Sequence, residues 1–275
     1  DWPDFGDVMS RQYQAAIMYR GMTGETLATE SVWLRKLLAL ISPDDGLLYR
    51  PTTNFSAHVA DLGDQALTLY ALATAQLSEP SDQLAQAVAG MVGGLRDRSA
   101  EVVGGPHGFV LKSLMVAERA VPQCGAFQLA EALAQALRVN PGVFPPDNQY
   151  ARLTHMHSTL RALVGMADYA NLTGDAELLS RIHTLYGVFR DMGTAFGFLP
   201  EAVDRPGDIV TCETCALMDW AGLGVALANA GYVDCWDDME RLMRNHLIES
   251  QARDWSWLTI DDGRPDTNQF TWRDL

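Results

Sequence analysis

The chain has 275 residues and a formal net charge of −15 at pH 7. Its hydrophobic content of 48% against 20% charged residues is typical of a globular protein and excludes a disordered or fibrous one. The acidity argues against nucleic acid or a membrane surface as a partner, because either would need a basic face. No apolar run approaches the roughly 20 residues that span a bilayer, and the N-terminal DWPDFGDVM does not resemble a signal peptide. A soluble chain is therefore expected.

Helical periodicity recurs along the chain, whereas strand alternation does not. Apolar residues fall on one helical stripe in several segments, for example Leu84, Val88, Met91 and Leu95. Gly and Pro residues between the segments supply the turns. The pattern predicts ten helices, over residues 8–20, 28–41, 61–77, 81–97, 107–120, 124–138, 153–172, 176–193, 212–230 and 235–250.

The ten predicted helices pair into five hairpins. In several pairs the first helix is apolar on most faces, as in ETCALMDWAGLGVALANAG, and the second has a single apolar stripe, as in DCWDDMERLMRNHLIES. A helix that is apolar all round is buried, and a helix with one stripe lies outside it. Alternating inner and outer helices predict an all-α fold, the (α/α) toroid of helical hairpins. An open superhelical solenoid is the structural alternative.

The predicted domain organisation is a single (α/α)6-barrel-type domain over residues 1–275. Such toroids usually have six pairs, and no helical pattern follows residue 250. We therefore expect either that the chain is a segment of a longer polypeptide or that the ring is open. The segment 251–275 is rich in aromatic residues and predicts a long loop over the mouth of the ring, or a short β-ribbon. Trp257 in this tail is a candidate sugar-binding residue.

Three longer loops precede or follow the inner helices, at 43–61, 143–157 and 196–213. If the hairpins form a ring, these loops converge at one end. Aromatic faces stack on sugar rings while carboxylates and histidines hydrogen-bond the hydroxyl groups, so the composition favours a carbohydrate cleft. Tyr49 and His58, both in the first loop, are candidate substrate contacts.

Cys212, Glu213 and Cys215 stand where the chain begins an almost wholly apolar helix. The C-x-x-C pair can hold a soft metal such as zinc, form a redox disulfide, or simply fill buried space. Glu213 is costly to bury unless a cation or hydrogen-bond donors compensate its charge. A carboxylate at a helix N-terminus is also favoured by the helix dipole, so a structural role stays open.

Glu201 lies 12 residues before Glu213 and outside any clear helix. Two carboxylates that flank one cleft are the usual apparatus of glycosidic bond cleavage, in which one donates a proton and the other activates water or attacks. His155 and His157 lie two residues apart near a helix start. A regular helix points such residues about 200° apart, so we expect at most one of them to enter the site.

Two segments resemble a known family. HMHSTLRALVGMADYANLTGDAELL is similar to the His-containing helix and TGD turn of the β-L-arabinofuranosidase family of glycoside hydrolases (family 127-like). ETCALMDWAGLGVALANAGYVDCWDDMERLMRNHL resembles the same family's ETC helix and its D-x-x-E-R-x-x-x-N partner helix. The resemblance covers residues 150–250.

This resemblance implies a six-hairpin toroid with a zinc site. In that family the glutamate and cysteine of ETC bind zinc together with two later cysteines, one of which is the nucleophile, and an upstream glutamate is the proton donor. Carried over, Glu213 and Cys215 are zinc ligands, Glu201 is the acid, and His155 or His157 contacts the sugar. The later cysteine pair has no counterpart after Cys235.

The first functional hypothesis is a glycoside hydrolase that acts on a polysaccharide or oligosaccharide through Glu201 and Glu213 in the toroid mouth. Two alternatives remain: an unsaturated uronyl hydrolase or polysaccharide lyase on the same fold, and a non-catalytic helical-repeat module that binds a protein or a glycan. A polar cleft lined by Glu201, Glu213, His155 and Trp257 favours the enzyme. A flat or apolar concave surface favours the binding module.

Overall fold

A computed structural model describes residues 5–51, 59–105, 108–203 and 212–251. Within these ranges the chain is helical, and its β-structure consists of two isolated bridges, Ile41 with Leu48 and His155 with Ala202. The α-helices of the described residues are α1 (Phe5–Thr23), α2 (Glu30–Leu40), α3 (Leu62–Ser78), α4 (Asp82–Asp97), α5 (Ser99–Gly104), α6 (Gly108–Ala120), α7 (Ala126–Arg138), α8 (Met156–Thr173), α9 (Ala176–Met192), α10 (Thr214–Asn229) and α11 (Cys235–Leu242). None of the described helices is both long and apolar enough to cross a membrane.

The helices form an inner row and an outer row. α1, α3, α6, α8 and α10 pack one against the next, and each also packs against the outer helix paired with it, respectively α2, α4, α7, α9 and α11. The predicted all-α architecture of helical hairpins is confirmed. The tail after residue 251, with Trp257, and His58 lie outside the described residues.

Neighbouring inner helices run parallel. Successive contacts between two such helices move toward the C-terminal end of both helices at once. Between α1 and α3, the backbone N–H of Gly6 donates to Asp64 and the Ser10 hydroxyl bonds that of Thr68. Farther along the same two helices, the Gln14 amide donates to Thr74. The contacts of α6 with α8 and of α8 with α10 advance in the same way, from Gly108 with Ala162 to Lys112 with Gly165 and from His155 with Glu213 to Asn171 with Ala226. We call the end at which these inner helices begin the mouth.

Burial follows the predicted division into inner and outer helices. The inner helix α8 buries most of its residues, including Leu160, Leu163 and Met166. The outer helix α4 instead buries one stripe at helical spacing, formed by Leu84, Val88, Met91, Val92 and Leu95. Fully burying one such side chain stabilises the fold by about 1.5–3 kcal/mol relative to leaving it exposed.

Some helix ends differ from the prediction for identifiable reasons. α8 begins at Met156 rather than at residue 153, because Leu153 has a left-handed φ of 66° and His155 is extended. α5 was not predicted, since its six residues are too few to display a helical period. After α11 the chain continues as the π-helical turn Met243–Leu247.

Candidate active site

The mouth collects carboxylates at the beginnings of the inner helices. Asp7 stands in the first turn of α1, Asp64 in that of α3, and Glu213 directly before α10. The first turn of a helix leaves backbone N–H groups without helical partners and carries the positive end of the dipole, so negative charge is favoured there. Helix electrostatics therefore favours all three carboxylates, and two of them are also ion-paired, Asp7 with Arg11 and Asp64 with Arg50.

Glu213 is paired with His155 across the mouth. The Nε2 atom of His155 lies 2.9 Å from Oε2 of Glu213, and its Nδ1 lies 2.9 Å from Oγ of Ser158. The His155 side chain is 43% exposed and that of Glu213 32% exposed, so a ligand in solution can reach the pair. Held on both ring nitrogens, the imidazole is oriented toward the carboxylate before any ligand arrives.

A second and buried network lies beside this pair. Nδ1 of His157 is 2.7 Å from Oδ2 of Asp219, and Nη1 of Arg161 donates to Oδ1 of the same carboxylate at 3.1 Å. The Arg161 guanidinium also lies 5.0 Å from the centre of the Tyr70 ring and 5.8 Å from that of Phe109. The interior of the molecule at this point is therefore charged and hydrogen-bonded, although α8 and α10 are otherwise largely apolar.

The regular-helix geometry that separates His155 from His157 does not hold for His155. His155 precedes α8 and has φ −75° and ψ 118°, so the rotation of about 100° per helical residue does not apply to it. The two rings lie edge to face with their centres 5.9 Å apart. Both histidines thus lie beside the start of α10, one against Glu213 and the other against Asp219.

Asp219 and Arg161 were missed in the sequence, although a signal for each was present. Asp219 is the one charged residue in the otherwise apolar segment 214–229. Arg161 follows His157 by four residues, which places the two side chains on one helical face. An isolated charge on a helix that is apolar all round requires a buried partner. His157 and Arg161 are the partners of Asp219.

Glu201 lies in a short extended segment that pairs with the residues before α8. The backbone N–H of Met156 donates to the carbonyl of Glu201 at 2.9 Å, and that of Val203 donates to the carbonyl of Thr154 at 3.0 Å. The pairing fixes the backbone of Glu201 next to the start of α8. Through His155, Glu213 is tied to the same place.

The two cysteines of the C-x-x-C pair have different neighbours. Sγ of Cys212 lies 3.8 Å from Nε2 of His246, whereas Cys215 interacts electrostatically with Glu213 and Arg11. Burial, reinforced by the Glu213 charge, raises the pKa of Cys215 to about 11, and the cation of Arg11 opposes that rise. Burial likewise raises the pKa of the Cys212 thiol. Both cysteines are free thiols.

The residues present do not complete the zinc site that the family resemblance implies. A structural zinc ion takes four ligands, and a catalytic one takes three from the protein. Glu213 and Cys215 supply two, the described residues bring no third histidine, cysteine or carboxylate into a cluster with them, and the sequence has no cysteine after Cys235.

Tyr49 lies in a turn that packs on the outer helix α4. Its hydroxyl donates to Oδ2 of Asp45 at 2.6 Å, and a side chain at Gly46 would collide with the backbone of Gly90. Gln65 in α3 holds this turn through two hydrogen bonds of 2.7 Å with the backbone N–H and carbonyl of Leu48. The hydroxyl of Tyr49 is thus engaged within its own turn.

Solved structures of glycoside hydrolases share this fold. A GH127 β-L-arabinofuranosidase from Geobacillus stearothermophilus T6 superimposes with a TM-score of 0.64 and 15% identity, over 87% of this chain and 46% of that one. Another GH127 β-arabinofuranosidase gives a TM-score of 0.65 and 16% identity, over 89% and 45%. A glycosyl hydrolase of family 88 from Bacteroides vulgatus gives 0.56 and 11%, over 86% and 76%.

No family model and no curated sequence matches the chain. The chain spans about half the length of the two GH127 structures, namely 46% and 45%. Identities of 11 to 16% concern the fold and not the activity. The described helices have the hairpin-toroid fold of these glycoside hydrolases, in agreement with the family resemblance in the sequence.

Proposed function

We propose that the chain is a glycoside hydrolase catalytic domain with Glu201 and Glu213 as its carboxylate pair. The observation that carries this proposal is the hydrogen bond between His155 and Glu213, made at the accessible end of a toroid. A carboxylate that shares a proton with an oriented imidazole is equipped for general acid–base chemistry. The shared fold of known glycoside hydrolases supports the same assignment.

The two carboxylates have separate roles in the proposal. Glu201, in the extended segment beside α8, donates a proton to the leaving oxygen of the glycosidic bond. Glu213, held by His155, is the base that activates water or the group that attacks the sugar. His157 and Tyr49 are proposed to contact the sugar, together with His58 and Trp257. Cys212 and Cys215 are left as thiols near the pair.

The buried network favours a neutral sugar over an acidic one. An unsaturated uronyl hydrolase or a lyase must neutralise the carboxylate of its substrate, and Arg161 is a buried cation of the network beside the His155–Glu213 pair. Arg161 is already ion-paired with Asp219. The negative charge of Asp219 would repel the carboxylate of a uronate. Arabinofuranosides, the substrates named for the GH127 structures, are therefore the first compounds to test.

The test is hydrolysis of 4-nitrophenyl α- and β-L-arabinofuranosides, with unsaturated uronyl disaccharides as the competing substrate class. We expect Glu201→Gln and Glu213→Gln each to lower kcat/KM by about 10²–10⁴-fold, the usual contribution of a general acid or base. The matched control is Glu177→Gln in the exposed first turn of α9, which should leave activity unchanged. Full activity in both test variants would refute the assignment, and release of uronate alone would favour the alternative enzyme.

A further inference from the structure

Outside the mouth, one group of side chains has the composition of a metal site. His183, Asp234 and Cys235 place one possible ligand atom each within 4.8 Å of the other two. His183 projects from the outer helix α9, and the other two residues stand at the beginning of α11. Among the described residues this is the one cluster of three such donors.

The cluster is separate from the candidate active site. It lies at the turn between α10 and α11, whereas Glu213 precedes the first residue of α10. A helix of 16 residues is about 24 Å long. The two locations are therefore at opposite ends of the hairpin, and no residue belongs to both.

The donor atoms are already near the spacing that an ion requires. Bond lengths of about 2.0–2.3 Å in a tetrahedral zinc site put neighbouring ligand atoms about 3.3–3.6 Å apart. Nε2 of His183 lies 3.1 Å from Oδ2 of Asp234. The Cys235 sulfur lies within 4.8 Å of one ligand atom of each of these two residues, so an approach of about 1.2 Å at most brings it to bonding distance in such a site.

The neighbouring residues hold the ligands in place. The ring of His183 stacks on Tyr232 with 4.3 Å between the ring centres. Asp234 makes no capping hydrogen bond to α11, and its carboxylate faces His183 instead. Arg190 also approaches Asp234, with Nη1 3.9 Å from Oδ2. The same Nη1 lies closer to Oδ2 of Asp238, at 3.4 Å.

We propose that His183, Asp234 and Cys235 bind one Zn²⁺ ion, with water as the fourth ligand. A mixed set of imidazole, carboxylate and thiolate suits zinc, whereas Mg²⁺ and Ca²⁺ require oxygen ligands. The side chains of His183 and Asp234 are 31% and 50% exposed, which leaves a path for the ion and for its water. The thiol releases its proton to solvent as the Zn–S bond forms. The ion would join α9 to the turn before α11, and this role goes beyond the proposed hydrolase function.

The experiment is titration of the metal-free chain with Zn²⁺ by calorimetry, and with Co²⁺ by absorption, where a thiolate ligand gives a near-ultraviolet charge-transfer band. We expect one equivalent to bind, with the affinity falling at least about tenfold in His183→Gln and in Cys235→Ser. Because Cys235 is fully buried, its substitution can disturb folding. The partly exposed His183→Gln variant then decides the question.

Three control variants locate the site. Cys124→Ser removes a half-buried thiol elsewhere, while Cys215→Ser and Glu213→Gln remove the possible ligands of the mouth. All three should bind Zn²⁺ as the parent chain does. Absence of stoichiometric binding, unchanged binding in His183→Gln, or loss of binding in Cys215→Ser would each overturn the proposal, and none of these results bears on the hydrolase assignment.

Discussion

At the residue scale, Asp219 is the side chain on which the buried polar network of the mouth depends. Its side chain is 7% exposed and is contacted by His157 and Arg161. Transferring a carboxylate from water into the interior costs several kcal/mol, and that cost is offset only while both donors stay in place. The same reasoning applies in reverse to Arg161, whose charge is buried against Asp219.

We predict that Asp219→Ala lowers the free energy of unfolding by about 3–5 kcal/mol, because it leaves the buried charge of Arg161 without its carboxylate. Asp219→Asn should cost less, since an amide oxygen can still accept from Arg161. Urea denaturation followed by circular dichroism measures both changes. The control Asp237→Ala, on the exposed face of α11, should stay within about 0.5 kcal/mol. A loss below about 1 kcal/mol in Asp219→Ala would contradict the prediction.

Single residues were predictable from the sequence where their chemistry depends on their immediate neighbours. Glu213 was identified because it stands before an apolar helix, which is a local property. The pairing of Glu213 with His155 depends instead on how α8 and α10 pack. No spacing in the sequence encodes that distance, and the same is true of the contact between His157 and Asp219.

At the element scale, glycines control how closely α6 approaches α8. A Cβ atom at Gly108 would lie 2.3 Å from Cβ of Ala162, and one at Gly165 would lie 2.9 Å from the backbone nitrogen of Lys112. Contacts this short involve backbone or short side chains that cannot rotate away. The two helices can therefore pack at this distance only while both positions lack a side chain.

We predict that Gly165→Ala destabilises the chain by about 1 kcal/mol or more, because the methyl group must push α6 away from α8. The sign is the informative part, since Gly→Ala inside a helix ordinarily stabilises by about 0.5–1 kcal/mol. Gly93→Ala in α4 is the matched control, as its new Cβ would have no atom within 4 Å. Thermal denaturation should move the two variants in opposite directions. Equal stabilisation of both would show that α6 and α8 can separate at little cost.

Helix positions were predictable because hydrophobic periodicity is a local signal, and the predicted helices have counterparts in the structure. The beginning of α8 was placed three residues early for a reason that is not local. His155 leaves the helical conformation to pair with Ala202, a residue far along the chain. A pattern read over one helix cannot include that partner.

At the scale of the whole molecule, the first and last inner helices act on each other electrostatically. Arg11 in α1 lowers the pKa of Cys215 at the start of α10, against the larger upward effects of burial and of Glu213. Burial lowers the pKa of Arg11, but Asp7, with smaller contributions from Cys215 and Asp219 in α10, raises it overall. α1 and α10 are therefore close enough for these charges to interact. The sequence predicts the alternation of inner and outer helices, but whether their row closes into a ring or stays an open solenoid depends on side-chain packing between hairpins.

We predict that Arg11→Ala raises the pKa of Cys215 above its value of about 11, because a cation that stabilises the thiolate is removed. Alkylation by iodoacetamide at pH 8 should therefore slow at Cys215, by about threefold for each half unit of pKa, since only the thiolate reacts. Glu213→Gln removes a negative charge and should speed the same reaction. Peptide mass spectrometry resolves Cys215 from the other cysteines, and Arg35→Ala, on the exposed side of α2, is the control. An unchanged rate in Arg11→Ala would mean that α1 and α10 lie too far apart to interact, and that the inner row is more open than the structure has it.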